Sequence, residues 1–98
     1  MKYSVIKVTV KNLKKCCPFY KKGDFFIIKQ QCFAPENGTP KQYCMHSLQS
    51  IYPVYMDLRK QNPGTKKICH CPDDDIVEFE LERLDDEEGR GWNRPEEE

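Results

Sequence analysis

The chain has no Cys-x-x-Cys, no glycine-rich phosphate loop and no paired-carboxylate signature. These absences argue against a thioredoxin-type dithiol mechanism, a nucleotide-phosphate cradle and two-carboxylate hydrolysis. Histidine is scarce, with only His46 and His70, and Trp92 is the sole tryptophan. A cysteine–histidine nucleophile pair therefore has few ways to form. No apolar run approaches the ~18–20 residues of a bilayer span. The start, Met1 to Lys7, alternates and is broken by lysine. A secretory leader needs about 7–15 unbroken apolar residues. The expectation is a cytoplasmic protein without a membrane partner. There is no internal repeat.

Cysteine is what the chain does have. Six cysteines lie in 98 residues, a length that makes one domain with a modest core. In a secreted chain that count would suggest a disulfide scaffold. In a reducing cytosol it favours free thiols, metal ligands or redox chemistry. The densest stretch is Ile68-Cys69-His70-Cys71-Pro72-Asp73, with Cys16, Cys17, Cys32 and Cys44 upstream.

The formal net charge is zero, yet the charge is divided. Residues 1–70 carry 13 Lys/Arg against 3 Asp/Glu, or +10; residues 71–98 carry 3 against 13, or −10. One reading is self-neutralisation that keeps the chain soluble. The sharper one is an anion-binding body masked by its own acidic end.

Alternation predicts a strand over Lys2 to Val10, with Ile6, Val8 and Val10 on one face. Lys11 to Lys15 reads as a basic loop leading to Cys16-Cys17-Pro18, and Lys21 to Asp24 as a turn. Phe25 to Ile28 reads as a core strand. Gln30 to Gln42 reads as a loop, with hairpin chemistry at Asn37-Gly38. Leu48, Ile51, Tyr52, Tyr55 and Leu58 recur at helical spacing. Pro53 suits a first helical turn better than an interior. The expectation is a loose turn over 45–49 and a helix from about Ser50 to Lys60, capped by Ser47 or Ser50. Thr65 to Cys71 reads as a strand with Ile68 and His70 on one face and Cys69 and Cys71 on the other.

Ile76 to Leu84 is the cleanest strand. Val77, Phe79 and Leu81 point in; Glu78, Glu80 and Glu82 point out. Those glutamates complement the lysines of the first strand, so the two are expected to be neighbours. The result is a small α+β domain over residues 1–84, strand-strand-helix-strand-strand, mostly antiparallel. An acidic flexible tail over 85–98 is expected to stay disordered, with Trp92 either docked on the body or solvated.

Cys17-Pro18 before Gly23-Asp24-Phe25, Tyr43-Cys44 with Ile51-Tyr52-Pro53 and Leu58-Arg59, the late cysteines before Asp73, and Val77 to Arg83 form an ordered set. In order and spacing this set resembles an uncharacterised family of small cysteine-containing prokaryotic proteins, mainly from anaerobic bacteria and archaea. The resemblance covers about Lys2 to Leu84. It implies a compact domain with recurring cysteines at Cys17, Cys44 and one or both of Cys69 and Cys71, and no established activity. The chain departs from the pattern in lacking a glycine before Cys44, in placing His70 between the late cysteines, and in its acidic extension.

A tetrahedral site needs four ligands, usually supplied as C-x₂₋₄-C pairs. Cys69-x-Cys71 is too tight for that spacing, and on an extended strand its thiols stand about 6.5–7 Å apart. A bend at Pro72 would bring them together. Cys17, Cys44, Cys69 and Cys71, with Cys16, His46 and His70 as substitutes, would then suit zinc or an iron–sulfur cluster. The bland alternative is that the cysteines are small core hydrophobes. The third is a reactive thiol, since Cys16 and Cys17 lie beside Lys14, Lys15, Lys21 and Lys22, a cationic setting that favours a thiolate.

Basic residues with Phe19, Tyr20, Tyr43 and Tyr55 also invite a nucleic-acid reading. Lysine outnumbers arginine twelve to one before Cys71, however, and no nucleic-acid motif is present. The sequence therefore favours an accessory protein over a conventional enzyme. It would bind a metal or cluster, or use redox-sensitive thiols, in service of a protein partner. Its rival is an interaction module with buried cysteines and a basic face for acidic partners or RNA.

Overall fold

The computed structural model describes residues 2–15, 17–34, 43–72 and 76–89. Five strands and one helix follow in chain order: β1 (Lys2–Leu13), β2 (Phe25–Lys29), β3 (Cys32–Phe33), α1 (Met45–Leu58), β4 (Lys66–His70) and β5 (Val77–Glu88). The strands form one sheet in the order β3-β2-β1-β5-β4, antiparallel at every pairing. The α+β expectation holds. So does the adjacency of the lysine-bearing and glutamate-bearing strands, which pair along the centre of the sheet as β1 and β5.

Alternation decides the two faces. Opposite Ile6, Val8 and Val10 of β1 stand Arg83, Leu81 and Phe79 of β5. With Phe26, Ile28 and Val77 the apolar residues of these rows, Arg83 excepted, form the main core under the helix. The helix lies over β5 and β4 and buries Ser47, Ile51, Tyr55 and Leu58. That stripe differs from the expected one. Tyr52 is 60% exposed and Ser47 only 1%, because the helix is turned toward the β4 side. The opposite face of the sheet is polar, with rows such as Lys7–Glu82–Lys66 across three strands and a smaller cluster of Val5, Ile27 and Ala34.

Several boundaries moved for identifiable reasons. β1 runs three residues past Val10, because a register shift at Lys11 turns Leu13 inward opposite Val77. A bulge of this kind inserts one residue and flips the side-chain parity beyond it. The basic loop expected at 11–15 is thus half strand.

The hairpin after β2 turns at Gln30-Gln31, since Lys29 pairs with Cys32. The Asn37-Gly38 turn expected instead lies outside the described residues. Gln30 takes a left-handed φ of 60°. It is held there by three bonds: its Oε1 accepts the Ser4 amide at 3.0 Å, its own amide donates to the Ser4 carbonyl at 2.7 Å, and its carbonyl accepts the Tyr55 hydroxyl.

The helix begins at Met45, five residues before the expected start, and carries Pro53 inside it. Cys44 is its N-cap residue, so neither Ser47 nor Ser50 caps it. Pro53 and Gln49 are both exposed, so the carbonyl that loses its partner faces water.

β5 continues to Glu88, four residues beyond the expected domain edge at Leu84. A second register shift, opposite Ser4, places Asp86 within reach of Arg83. Residues 85–88 are therefore strand, not tail. Residues 90–98 lie outside the described part, as do the acidic run 73–75 and Cys16.

Candidate functional site: a thiol-lined cavity at the start of the helix

The sheet topology gathers chain ends. β1 ends opposite the start of β5, where Leu13 faces Val77 and the Lys14 amide donates to the Ile76 carbonyl at 2.8 Å. β4 ends beside them, and the Cys71 amide donates to Val77 at 2.9 Å. The helix starts over this same corner. A cavity of about 250 Å³ results, lined among others by Cys17, Cys44, His46 and Cys71.

Each thiol arrives on a different segment. Cys17 follows the end of β1, with Pro18 holding it extended. Cys44 stands at the N-cap, with backbone φ −81° and ψ 116° and no side-chain capping bond. Cys71 is the first residue past β4, and it is buried at 6% exposure.

Two polar side chains brace the corner. Tyr20 is buried edge-on against Phe79 at 5.6 Å, and its hydroxyl accepts the Cys44 amide at 2.9 Å. That bond satisfies one of the donors a helix start leaves open. Burial raises the Tyr20 hydroxyl's pKa first; the Cys44 amide opposes this, and charge on Cys44, Cys17 and Cys71 raises it further. All three thiols therefore lie within electrostatic reach of one phenol. The buried Ser47 hydroxyl donates to Cys71 Sγ at 3.7 Å.

The remaining expected ligands are elsewhere. Cys69 packs against the core and does not line the cavity. Burial pushes its thiol up to about 11. His70 stands on the polar face opposite Glu78, and Cys32 is exposed on β3 at the far edge. The bend expected at Pro72 to bring Cys69 and Cys71 together is not what the structure has: Cys71 continues the pairing with β5 through its amide bond to Val77, and of the two thiols Cys71 alone lines the cavity. Among the described residues, no group of three or more His, Cys, Asp or Glu side chains is placed to hold a metal ion.

The aromatics proposed for base stacking are mostly committed. Tyr20 and Tyr55 are buried, and Tyr43 stacks on Phe33 at 4.4 Å. Phe19, 45% exposed, is the one of the four that reaches solvent freely. On the sheet, Lys11 meets Glu80 at 3.9 Å and Lys29 meets Glu87 at 3.1 Å.

Sequence reasoning missed Tyr20 and Ser47 as parts of this corner. Ser47 carried a signal: it falls one turn before Ile51 and two before Tyr55, on the stripe that faces inward. Tyr20 carried none, because its role depends on a loop folding back over the helix start. No helix of the described part is long and apolar enough to cross a membrane. No family model, curated protein or solved structure matches the chain.

Proposed function

We propose that the protein is a small cytoplasmic accessory protein that acts through the thiols of Cys17, Cys44 and Cys71. The observation that carries this is their convergence, from three separate segments, on one cavity at the start of α1. Core cysteines that merely fill space have no reason to share an opening. A thiolate at Cys44 would face the positive end of the helix, and no acidic residue in the first turn competes for it.

The chemistry this supports is reversible oxidation by a peroxide. A thiolate attacks one peroxide oxygen, the O–O bond breaks, and the leaving oxygen takes a proton to become water. The resulting sulfenic acid condenses with a second thiol, forms the S–S bond and releases a second water. Two thiols are oxidised by two electrons and one peroxide is reduced. The second sulfur is the reason a cluster serves better than one cysteine.

The test uses protein purified without oxygen. A short iodoacetamide pulse should label Cys44 and Cys17 in the native state. In a separate, unalkylated sample stoichiometric peroxide should remove two thiols, and peptide mapping should place the disulfide among Cys17, Cys44 and Cys71. Cysteines that react only after denaturation and stay reduced under peroxide would support the interaction-module reading instead. Stoichiometric zinc or acid-labile sulfide in the same sample would assign these thiols, with Cys16, to a metal or cluster and replace the redox reading.

A further inference from the structure

The sheet has two edges, and they differ. One is β3, only two residues long. The other is β4, Lys66–His70, which among the described residues pairs on one side alone, with β5. Its use does not depend on the thiol reading.

Two bonds fix which backbone groups of β4 point outward. The Cys71 amide donates to the Val77 carbonyl at 2.9 Å, and the Arg83 amide donates to the Thr65 carbonyl at 2.8 Å. Along an antiparallel ladder, alternate residues turn both N–H and C=O toward the same neighbour. Lys67 and Cys69 therefore face β5 together with Thr65 and Cys71, while Lys66, Ile68 and His70 send their N–H and C=O groups away from it. Among the described residues no backbone group pairs with that outward row. Such a row is a template for one more strand.

The side chains of the same three residues decide which strand fits. All three are exposed, and they stand on the polar face opposite Glu82, Glu80 and Glu78. That face reads in rows across the sheet. Lys7, Glu82 and Lys66 make one: basic, acidic, basic. The next place in that row calls for an acid. Thr9, Glu80 and Ile68 make another. Ile68 is 46% exposed, an apolar side chain at the rim of a polar face, and an aliphatic neighbour would take its surface out of water. Asn12, Glu78 and His70 make the third, where the imidazole N–H is a donor for a second acid.

We propose that β4 is a docking edge for an extended segment of a partner protein that carries an acidic, an aliphatic and an acidic residue at alternate positions. Main-chain bonds along the edge hold the segment, and the alternate side chains select it. A second copy of this chain fits less well. Antiparallel pairing of two β4 edges about Ile68 sets Lys66 of each copy opposite His70 of the other and brings no carboxylate across to either. Lysine on an edge strand discourages such pairing of like strands.

Amide hydrogen exchange and NMR titration of the full chain test this. In the free chain the amides of Lys66, Ile68 and His70 should exchange fast, and those of Lys67, Cys69 and Cys71 slowly. The probe is the capped peptide Thr-Glu-Thr-Val-Thr-Glu-Thr, whose pattern is the same in either direction. At millimolar concentration it should shift the three outward amides most and slow their exchange several-fold. The same peptide with lysine for glutamate should bind several-fold more weakly. Lys66→Gln and Ile68→Thr, both at exposed positions, should each weaken binding of the acidic peptide several-fold with the circular dichroism spectrum unchanged. Lys22→Gln, in the exposed turn before β2, should not weaken it. Outward amides indifferent to the acidic peptide would overturn the proposal. So would equal binding of the two peptides, or an equal loss in Lys22→Gln, which would mean general charge attraction. Slow exchange of the three amides in the free chain would overturn it as well: at every concentration it would mean that the chain covers its own edge, and only where sedimentation shows dimers, that a second copy does.

Discussion

Tyr20 shows how one side chain couples the thiol corner to stability. Its hydroxyl is the acceptor for the amide of Cys44, and its ring fills the core against Phe79. Tyr20→Phe keeps the ring and removes the acceptor, leaving a helix-start amide with a poorer partner. The expected cost is about 1–2 kcal/mol, or about 4–8 °C of melting temperature per kcal/mol in a domain of this size. Because the amide belongs to Cys44, the same variant should change the alkylation rate of Cys44 and leave that of Cys32 unaltered.

Cys69 makes the contrasting case. Its thiol is held near 11 by burial, against an ordinary 9.0. In mildly alkaline solution it should alkylate slowly, with a rate that climbs about tenfold per pH unit until pH approaches about 11. The stability consequence has a definite sign. Between 9.0 and about 11 the folded chain holds a proton that the unfolded chain has released. The stabilisation is therefore fully present below 9.0 and is lost as pH rises through about 11. Urea midpoints measured across that window should fall less steeply for Cys69→Ala than for the natural chain; parallel profiles would show that Cys69 ionises freely.

At the scale of elements, the helix is the instructive case. Its proline costs a backbone hydrogen bond in the interior of a fourteen-residue helix. An interior proline is worse than alanine by about 3 kcal/mol, offset by about 0.4–1 kcal/mol through restriction of the unfolded chain. Since Pro53 is exposed, Pro53→Ala should stabilise the domain by about 2–2.6 kcal/mol, read as a higher urea midpoint with an unchanged slope. A loss of stability would mean that the ring packs against something or that the helix needs its local distortion.

That proline is also why the helix start was misplaced from sequence. Propensity argued for Ser50, but packing of Ser47 and Ile51 against the sheet overrides it. Strand identity and the β1–β5 pairing were legible because alternation and opposite charge act locally and agree. The two register shifts were not legible, since each is decided by the partner strand. The corner of Cys17, Cys44 and Cys71 was legible as a set of residues. The exclusion of Cys69 was not, because it depends on which of two thiols on one strand face the cavity at the helix start reaches.

For the whole molecule, the division of charge acquires a structural meaning. Within the described residues the basic and acidic parts meet in the middle of the sheet, where β1 pairs with β5. Lys2, Lys11 and Lys29 each find a glutamate of β5, and such exposed pairs contribute about 0–1 kcal/mol apiece. The larger stake is Arg83, whose side chain is only 7% exposed and meets Asp86 at 2.7 Å. Its Nη1 also donates to the Leu84 carbonyl at 2.7 Å, while Nε is buried without a partner among the described residues. Removing the carboxylate would leave a largely buried guanidinium poorly paired, a change that is strongly destabilising in buried settings and milder here because Asp86 is 41% exposed. Two truncations separate the acidic strand end from the segment beyond it. Ending the chain at Leu84 deletes Asp86 and the last cross-strand partners of Lys2 and Tyr3; ending it at Gly89 keeps them all. The first should lower the urea midpoint substantially and the second much less, since it keeps every residue of β5 and the Arg83–Asp86 pair. Equal midpoints for the two truncated chains would mean that residues 85–88 add nothing to the sheet. Oligonucleotide affinity supplies the matching electrostatic test. If the acidic end masked a binding surface, the Gly89 truncation would bind far more tightly and with a steep salt dependence. The pairing of β1 lysines with β5 glutamates predicts instead that its affinity stays close to that of the full chain, because the charges that neutralise the sheet remain in place.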